Sequence, residues 1–534
     1  MPTIPTMHRR APRRALLLLL TCLLPAVGLA ADWEAEVFVQ RLTPVLEDTP
    51  PPAVADIVPG YARPAERAAG LVVADLENAA GTDGDWGKTI GQILRWDLAY
   101  AWRPALTGSD FHTYYADAFT LDVPRADAGR GAAGAARVAG RLGITNTLAG
   151  RVAVSGDNVE LELTLRQLPG DTSIESYRFS GPLDQLSAFL DGLPARLYAA
   201  LKQAPPQARP SRAALLNPAQ WRQLVAGLSL APDAPRAERT ARVRQMWSAG
   251  LQTPLSAAHY LEYIDAKSPQ EYLNQLDTVR ALFPDDAGVE TAVARLMPWR
   301  DGLIKTKSER LAKAVLDRPQ DPLPMLVLAD ALTDSGNGLA GVALAREAVQ
   351  RWPDNYRAWW TLGYALINYA WELRGTNTWD QVPETAQRAF PALKDAAGRA
   401  IDKALALNRD SSGVWVMKMM TIGGYSEAFM DAYRTAIRLD PDNRRAYEMA
   451  INYNLPQWGG SYESVNQIWE AAQEHIHDQA WLDRIRGQYL QDQPATYRLW
   501  GLGKKFFPGA LALIALVAVL LGVLVWRLRP ERGE

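Results

Sequence analysis

The histidines are the residues best suited to metal chemistry in this sequence. Beyond the first 31 residues they are His112, His259, His475 and His477. The last two belong to the only cluster of potential ligands, 474–478, which reads Glu-His-Ile-His-Asp. Residues i and i+2 of a helix point about 200° apart, so these two imidazoles could share a metal only in an extended segment. We therefore predict no metal site and no cofactor.

Motifs for enzymatic catalysis are missing from the sequence. It contains no HExxH, GxSxG or SxxK pattern, and its single cysteine, Cys22, lies in a segment that we expect to be removed. Gly87-Lys88-Thr89 matches the last three residues of the phosphate-binding loop motif, but that motif also requires a glycine at the position of Thr82. We predict no catalytic residue and no nucleotide binding. A hydrolase with an unrecognised site is the least favoured alternative.

Aromatic side chains are dense between residues 352 and 379, which include five tryptophans and three tyrosines. They could form a stacking surface for a peptide or for sugar rings, although helical proteins commonly bury Trp and Tyr. We expect most of them to pack in a core, with Trp379 and the more distant Trp458 exposed. The candidate partner-binding residues are Trp360, Tyr364, Trp371, Arg374, Trp379 and Trp458.

The composition is that of folded globular domains. Of 534 residues, 48% are hydrophobic and 22% are charged, and 57 Lys and Arg balance 59 Asp and Glu. This length allows two or three domains. The balanced charge argues against a nucleic-acid partner, which would favour a strongly basic chain.

Residues 1–31 have the pattern of a secretory signal peptide. Four arginines precede an apolar run from Ala15 to Leu29, and small residues Ala30 and Ala31 follow it. This order predicts export of the chain and cleavage near Ala30 or Ala31. A lipoprotein cleavage before Cys22 is an alternative, but Thr stands where a small residue is expected.

Residues 506–526 predict a transmembrane helix. This stretch has 21 apolar residues without a charge. A helix of ~21 residues spans about 31 Å, which matches the ~30 Å hydrocarbon core of a bilayer. Together with the signal peptide, it predicts a single-pass inner-membrane protein with a periplasmic bulk and a cytoplasmic tail, 527–534. A buried core helix is the alternative reading.

An α+β domain is predicted over residues 70–203. A buried strand at 71–76 and a helix at 88–101 precede a second helix, and the segment 159–165 alternates apolar and polar residues as a half-buried strand does. Before this domain, we read 32–69 as an N-terminal helix with a proline-rich linker or extended cover strand.

This order of elements resembles the TolB-type amino-terminal domain. The resemblance rests on Glu77-Asn78 after a strand, on the segment 137–144 that leads into another strand, and on Gly150-Arg151-Val152 in the hairpin. It covers roughly residues 69–202. The resemblance implies a binding or coupling module without catalytic residues.

A helical repeat is predicted over residues 211–495. Five apolar positions each lie five residues before a position that breaks a helix, and successive steps of 35, 34, 56 and 32 residues indicate helix pairs with one insertion, near 375–391. The five positions are Val279, Ala314, Ala348, Ala404 and Ala436.

Two segments carry further resemblances. The segment 358–365, which contains Trp, Leu, Gly and Tyr, resembles the first helix of a tetratricopeptide repeat. The loop 455–461, with its Pro-Gln-Trp-Gly-Gly-Ser sequence, resembles that of an uncharacterised family of helical-repeat proteins. The first resemblance implies stacked helix pairs that bind a partner, and the second implies no activity.

Together these patterns predict an α+β domain, an all-α tetratricopeptide-like solenoid and one C-terminal transmembrane helix. The predicted function is a non-enzymatic scaffold that binds protein or peptide partners in the cell envelope. The main alternative is a protein that binds glycan or peptidoglycan through the aromatic insertion.

Overall fold

The computed structural model describes most of the chain between residues 35 and 490. It divides the chain into two compact units, one ending at Thr421 and one beginning at Ile422, which are described separately below. The described residues are 35–40, 46, 50–64, 71–98, 130–142, 144–202, 216–229, 236–264, 268–284, 286–297, 303–319, 321–376 and 378–490.

A five-stranded sheet lies in the N-terminal part of the first unit. Strands β1 (Leu71–Val73) and β2 (Glu77–Asn78) both pair in parallel with β3 (Asn146–Ser155). Strand β3 continues antiparallel through β4 (Asn158–Gln167) to β5 (Thr172–Pro182). Because the side chains of a strand alternate between its two faces, each face of the sheet gathers its own apolar set.

Helices cover both faces of this sheet. The apolar residues of β4, from Val159 to Leu165, are buried at every second position and face a core shared with helices α2 (Trp86–Trp96) and α4 (Leu183–Ala200). A preceding short helix, α1, spans Val54–Ile57. On the other face, the small residues of α3 (Gly131–Leu142) pack against β1 and β3. The structure thus contains the small sheet region that the alternating pattern predicts.

The core of the sheet region continues into the helices that follow it. Trp86 of α2 lies 6.2 Å from Trp221, measured between ring centroids, and the same apolar cluster extends as far as Met297. The compact unit accordingly does not end at the proline-rich segment near residue 205. The five helices are α5 (Pro218–Leu228), α6 (Arg236–Ser248), α7 (Pro254–Leu261), α8 (Pro269–Leu282) and α9 (Ala287–Leu296).

The rest of the first unit consists of paired helices. Ala348 and Ala404, two of the predicted register positions, are fully buried, and each accepts a hydrogen bond of 2.8 Å from the residue that caps its helix. The predicted helical repeat is therefore confirmed. The helices are α10 (Ile304–Asp317), α11 (Pro322–Asp334), α12 (Gly338–Arg351), α13 (Tyr356–Arg374), α14 (Glu384–Leu407) and α15 (Ser412–Ile422), whose last residue begins the second unit.

The enlarged step of the repeat is a long helical hairpin. Helix α13 has 19 residues and α14 has 24, whereas α10 and α12 have 14 each. Pro391, expected at the end of an irregular insertion over 375–391, lies inside α14. Between these two α-helices the structure describes residues 375, 376 and 378–383, which include a short 3-10 helix at Trp379–Gln381. The extra residues therefore mostly lengthen two regular helices.

The second unit repeats the same pattern. Its helices are α16 (Glu427–Leu439), α17 (Arg444–Tyr453), α18 (Tyr462–His475) and α19 (Gln479–Ile485). Ala436 is buried in the predicted register. A sixth register position, Ala472, is buried at the end of α18, where its carbonyl accepts a 2.8 Å hydrogen bond from the backbone N–H of Ile476.

The segment that precedes the sheet packs onto the helical pairs of the first unit. Phe38, within the helical residues 35–40, meets the Trp359 ring edge to face with 5.2 Å between centroids. Tyr61 donates a 2.8 Å hydrogen bond to Glu347 of α12, and Arg63 Nε donates to the same carboxylate at 2.8 Å. This part of the predicted 32–69 linker is therefore a cover that is held by specific polar contacts.

The predicted signal peptide, transmembrane helix and tail lie outside the described residues. So do the predicted helix beyond Leu98 and the proline-rich segment after Lys202. Among the residues that the structure does describe, no helix is long and apolar enough to cross a membrane.

Candidate functional site

Helices α11 and α13 bring four polar and aromatic side chains together. Asp330 and Asp334 lie one turn apart on α11 and therefore share a helix face. Tyr364 of α13 donates a hydrogen bond from its hydroxyl to Asp334 Oδ1. With Trp360, which stacks on Tyr364, these residues form what we call the acidic–aromatic cluster.

Trp360 and Tyr364 form the aromatic part of this cluster. Their rings are nearly parallel, with 5.3 Å between centroids and 7° between planes. The Trp360 Nε1–H donates to the carbonyl of Gly413 at 3.2 Å, and the Asn368 side chain donates to the Tyr364 carbonyl at 2.8 Å. Both rings are half-buried. Helix position and hydrogen bonds thus fix the two rings while part of their surface stays accessible.

Asp330 is the residue of the cluster whose ionisation its surroundings affect most. The residue is half-buried, but its Oδ1 atom is buried and has no hydrogen-bond partner among the described residues. Burial and then the charge of Asp334 raise the pKa of Asp330 well above its usual value, while a hydrogen bond from Thr361 and the charge of Lys307 lower it. A carboxylate is therefore held where its charged form is costly.

Lys307 of α10 supplies the positive charge that acts on Asp330. The residue is buried, and its Nζ donates to the carbonyls of Arg295 at 3.1 Å and Met297 at 2.9 Å. Burial lowers the pKa of Lys307, whereas the charges of Asp334 and Asp330 raise it. The ammonium is thus shared between helix-end carbonyls and the two carboxylates.

We predict that Asp330→Asn removes a pH-dependent loss of stability. Because the folded-state pKa of Asp330 is raised, stability present at low pH is lost as the pH rises from the usual Asp value through the folded-state pKa. The amide of Asn cannot ionise and therefore lacks this loss, so the variant should be more stable than the unmodified chain near neutral pH. This gain in stability should shrink toward pH 4, where Asp330 of the folded protein is protonated and is as neutral as the Asn that replaces it.

The measurement is the thermal unfolding midpoint of the full chain at several pH values from about 4 to 8. Asp380→Asn, at an exposed site after α13, is the matched control and should leave the pH profile unchanged. A variant that is destabilised equally at every pH would show that the bond from Thr361 to Asp330 outweighs the desolvation of the carboxylate.

A second group of candidate residues lies at the far end of the long hairpin. The Phe390 ring of α14 meets Trp371 edge to face at 5.1 Å and Trp379 at 5.9 Å between centroids. The Arg374 guanidinium lies 5.1 Å from the centre of the Trp371 ring. We call these four residues the tip cluster. Trp371 lies seven residues beyond Tyr364, about 10 Å along the helix, so the two clusters are separate.

Exposure within the aromatic stretch follows the prediction. Trp379 is 46% exposed, whereas Trp359 is buried and donates a 2.7 Å hydrogen bond to the Pro353 carbonyl. The buried aromatic side chains are Trp352, Tyr356, Trp359 and Tyr369.

Trp458 belongs to the second unit and is described there alone. It is 39% exposed and lies 5.9 Å from Tyr453 between ring centroids. Its carbonyl accepts a 3.1 Å hydrogen bond from the backbone of Tyr425, which is 47% exposed. The second unit therefore presents two exposed aromatic side chains from adjacent interhelix turns.

The Pro-Gln-Trp-Gly-Gly-Ser sequence of this loop has a structural explanation. Gly459 has φ +90°, a conformation that residues with a Cβ rarely adopt. A Cβ at Gly460 would overlap the carbonyl of Asn454. Ser461 caps helix α18 by accepting a hydrogen bond from the backbone of Ser464. Conformation, space and capping thus account for three of the motif's residues.

Gly87-Lys88-Thr89 lies in the first turn of helix α2 and has a packing role. Gly87 donates from its backbone to the Asn78 side chain at 2.8 Å, and its carbonyl accepts from Leu76 at 3.1 Å. Asp85 caps the helix and forms an ion pair with Arg130. An acidic side chain at the start of this helix opposes the binding of a phosphate.

The histidine pair lies at a helix end. His475 is the last residue of α18, and Ile476 after it is extended. Within the part of the chain that the structure describes, no three His, Cys, Asp or Glu side chains are grouped to hold a metal ion.

The aromatic residues of the acidic–aromatic cluster are predicted from the sequence, whereas its two carboxylates are not. Asp330 and Asp334 stand four residues apart in a helix that is otherwise almost wholly apolar from Pro322 to Thr333. Two acids on one face of such a helix were the available signal. Lys307 gave none, because its role depends on helix packing.

Comparison with known proteins finds similarity only among solved structures. No protein-family profile and no curated protein matches the chain. The chain is similar to a thermophilic tetratricopeptide-repeat protein of Thermus thermophilus, with 15% identity over 43% of this chain and 100% of that one and a TM-score of 0.28. It is also similar to human IFIT1, solved as a dimer with PPP-AAAA, with 12% identity over 62% of this chain and 72% of that one and a TM-score of 0.38.

These TM-scores lie below 0.5. The helical-repeat architecture therefore rests on the chain's own helix pairs and buried register positions. The chain is a mostly helical repeat protein with a small N-terminal sheet region.

Proposed function

We propose that this protein is a non-enzymatic scaffold that binds a protein or peptide partner on the periplasmic side of the inner membrane. The acidic–aromatic cluster is the observation that carries the proposal. It combines a fixed pair of half-buried rings with a carboxylate oxygen that lacks a partner among the described residues. Partly accessible aromatic rings beside directional polar groups are typical of the centre of a protein interface.

The helical-repeat fold supports the same function. Stacked helix pairs bury their apolar faces against their neighbours, so a continuous surface is left that can hold an extended partner. The acidic–aromatic cluster lies on α11 and α13, and Lys307 of α10 acts on its carboxylate Asp330. A partner bound there would contact several repeats at once.

The proposed location rests on the two ends of the sequence. Residues 1–31 have the order of charged, apolar and small residues that directs export. The uncharged stretch 506–526 is long enough to span a bilayer as a helix and would contact lipid. In this arrangement residues 32–505 face the periplasm and 527–534 stay in the cytoplasm. The proposed scaffold thus works beside the membrane, without nucleotide or nucleic acid.

Site-specific photo-crosslinking in living cells tests this proposal. p-Benzoylphenylalanine is placed at position 360 in one variant of the full chain, at 379 in a second and at 192 in a third. Position 192 is an exposed point of helix α4 and serves as the control. We expect an adduct at position 360 that a protease degrades, and none at 192. Recovery of the adduct in the inner-membrane fraction, with residues 32–505 open to protease in spheroplasts, tests the location.

The same experiment tests the glycan alternative, which the exposure of Trp379 favours. A tip-cluster partner would give an adduct at position 379 instead of 360. An adduct that a muramidase shortens and a protease leaves intact would identify glycan. That result, or the absence of any adduct at 360, would overturn the scaffold proposal.

A further inference from the structure

Negative charge exceeds positive charge in the acidic–aromatic cluster. Asp334 and Lys307 act on Asp330. Arg295, which is paired with Glu262, acts on Lys307. In this group of charges the carboxylates outnumber the cations by one. The Lys307 ammonium also donates hydrogen bonds to two backbone carbonyls. Asp330 Oδ1 is left without a hydrogen-bond partner in the described part of the chain. The cluster therefore lacks about one positive charge when both carboxylates are ionised.

The helix that carries the carboxylates adds to this imbalance. Asp334 is the last residue of α11 and Asp330 lies one turn before it. The carbonyl groups at the C-terminal end of a helix carry a partial negative charge, and acids are unfavourable there. The position of the two residues thus favours the arrival of a cation.

The aromatic pair beside the carboxylates suits a flat cation. Trp360 and Tyr364 are nearly parallel and half-buried, and the face of a tryptophan ring attracts a cation. Tyr364 also bonds Asp334 directly, so the ring pair and the carboxylate lie side by side. A planar guanidinium can stack on an aromatic face and donate two parallel hydrogen bonds to a carboxylate, whereas an ammonium cannot do both equally well.

We propose that the acidic–aromatic cluster binds an arginine side chain of the partner peptide. The guanidinium lies against the Trp360 ring and donates to Asp334, and Asp330 stabilises it through its charge. This inference rests on the proposed function, because it specifies the chemistry of the partner that the scaffold holds.

Binding of short synthetic peptides to the full chain tests the inference. The probe is acetyl-Ala-Leu-Arg-Leu-Ala-amide, and the matched peptide carries citrulline, which keeps the shape of arginine but has no charge. Dissociation constants are measured by ligand-observed NMR. We expect the citrulline peptide to bind at least about fivefold more weakly, and a lysine peptide to lie between the two.

Variants of the protein assign the effect to the cluster. Asp334→Asn and Trp360→Leu should each weaken binding of the arginine peptide at least about threefold and leave the affinity for the citrulline peptide unchanged. Trp379→Leu, in the tip cluster, is the control and should bind both peptides as the unmodified chain does. Equal affinity for the arginine and citrulline peptides, or unchanged binding by Asp334→Asn, would overturn the inference. Preserved citrulline-peptide binding shows that a variant is still folded.

The outcome is distinguishable from failure of the scaffold proposal. If Asp334→Asn keeps the protease-sensitive adduct at position 360 at full yield, a protein partner binds there without the proposed cation contact. If no adduct forms at position 360 in the unmodified background, the scaffold proposal itself fails. A lower adduct yield in Asp334→Asn, together with the charge-dependent peptide binding, supports both.

Discussion

Replacement of Trp359 with alanine should lower the free energy of unfolding of the first unit by about 3–5 kcal/mol. The side chain is buried at the start of α13, and its indole N–H donates to the Pro353 carbonyl. Phe38, from the segment that covers the helices, packs against the ring. The substitution would create a cavity, leave the Pro353 carbonyl without its hydrogen bond and remove the ring against which Phe38 packs.

The matched control is the same substitution at Trp379, which is 46% exposed. Trp379→Ala should change the free energy of unfolding by no more than about 0.5 kcal/mol. Thermal unfolding of the full chain gives the midpoint, and hydrogen exchange of the α13 amides shows whether the loss is local. Equal effects of the two substitutions would contradict the assignment of Trp359 to the core.

The repeat could be predicted because its signal is local. Ala348 and Ala404 each stand one turn before a helix end, where a neighbouring helix leaves little space, and a proline or a polar residue follows. The strand β4 was equally clear, since its buried residues recur at every second position. Patterns with the period of a helix or a strand report burial directly.

Long-range features could not be predicted in this way. The contacts of Tyr61 and Arg63 with Glu347 join residues almost 300 positions apart, and no sequence spacing reports such a pair. The same holds for the action of Lys307 on Asp330. The sequence predicts an irregular insertion here because a proline usually ends a helix. In the structure Pro391 lies within α14, so the segment is a long helical hairpin instead.

The candidate site shows the same division between local and long-range information. Trp360 and Tyr364 could be selected from sequence because they stand four residues apart in an aromatic-rich helix. Their separation from Trp371 and Trp379 required the structure, because the tip cluster forms only where α13 meets Phe390. The density of aromatic residues in the sequence predicts a single surface, whereas the structure places these residues in two separate clusters.

The second large effect is expected at Gly87, where alanine should destabilise the sheet region by about 3 kcal/mol or prevent its folding. A Cβ at this position would overlap the carbonyl oxygen of Leu76. That backbone cannot move away, because Leu76 donates to the Gly87 carbonyl and Asn78 accepts from the Gly87 N–H. Glycine is therefore required for helix α2 to approach the strand, and not for phosphate binding.

Gly192→Ala in helix α4 is the matched control. A Cβ there meets no atom within 4 Å, so the substitution removes only the flexibility of glycine in a helix. It should stabilise the protein by about 0.5–1 kcal/mol. The two variants are compared by thermal unfolding of the full chain and by protease resistance of the sheet region. If Gly87→Ala lowers the unfolding midpoint and Gly192→Ala raises it, the loss at Gly87 comes from the close approach there and not from the added methyl group. A Gly87→Ala protein as stable as the unmodified chain would mean that α2 does not lie against Leu76 as described.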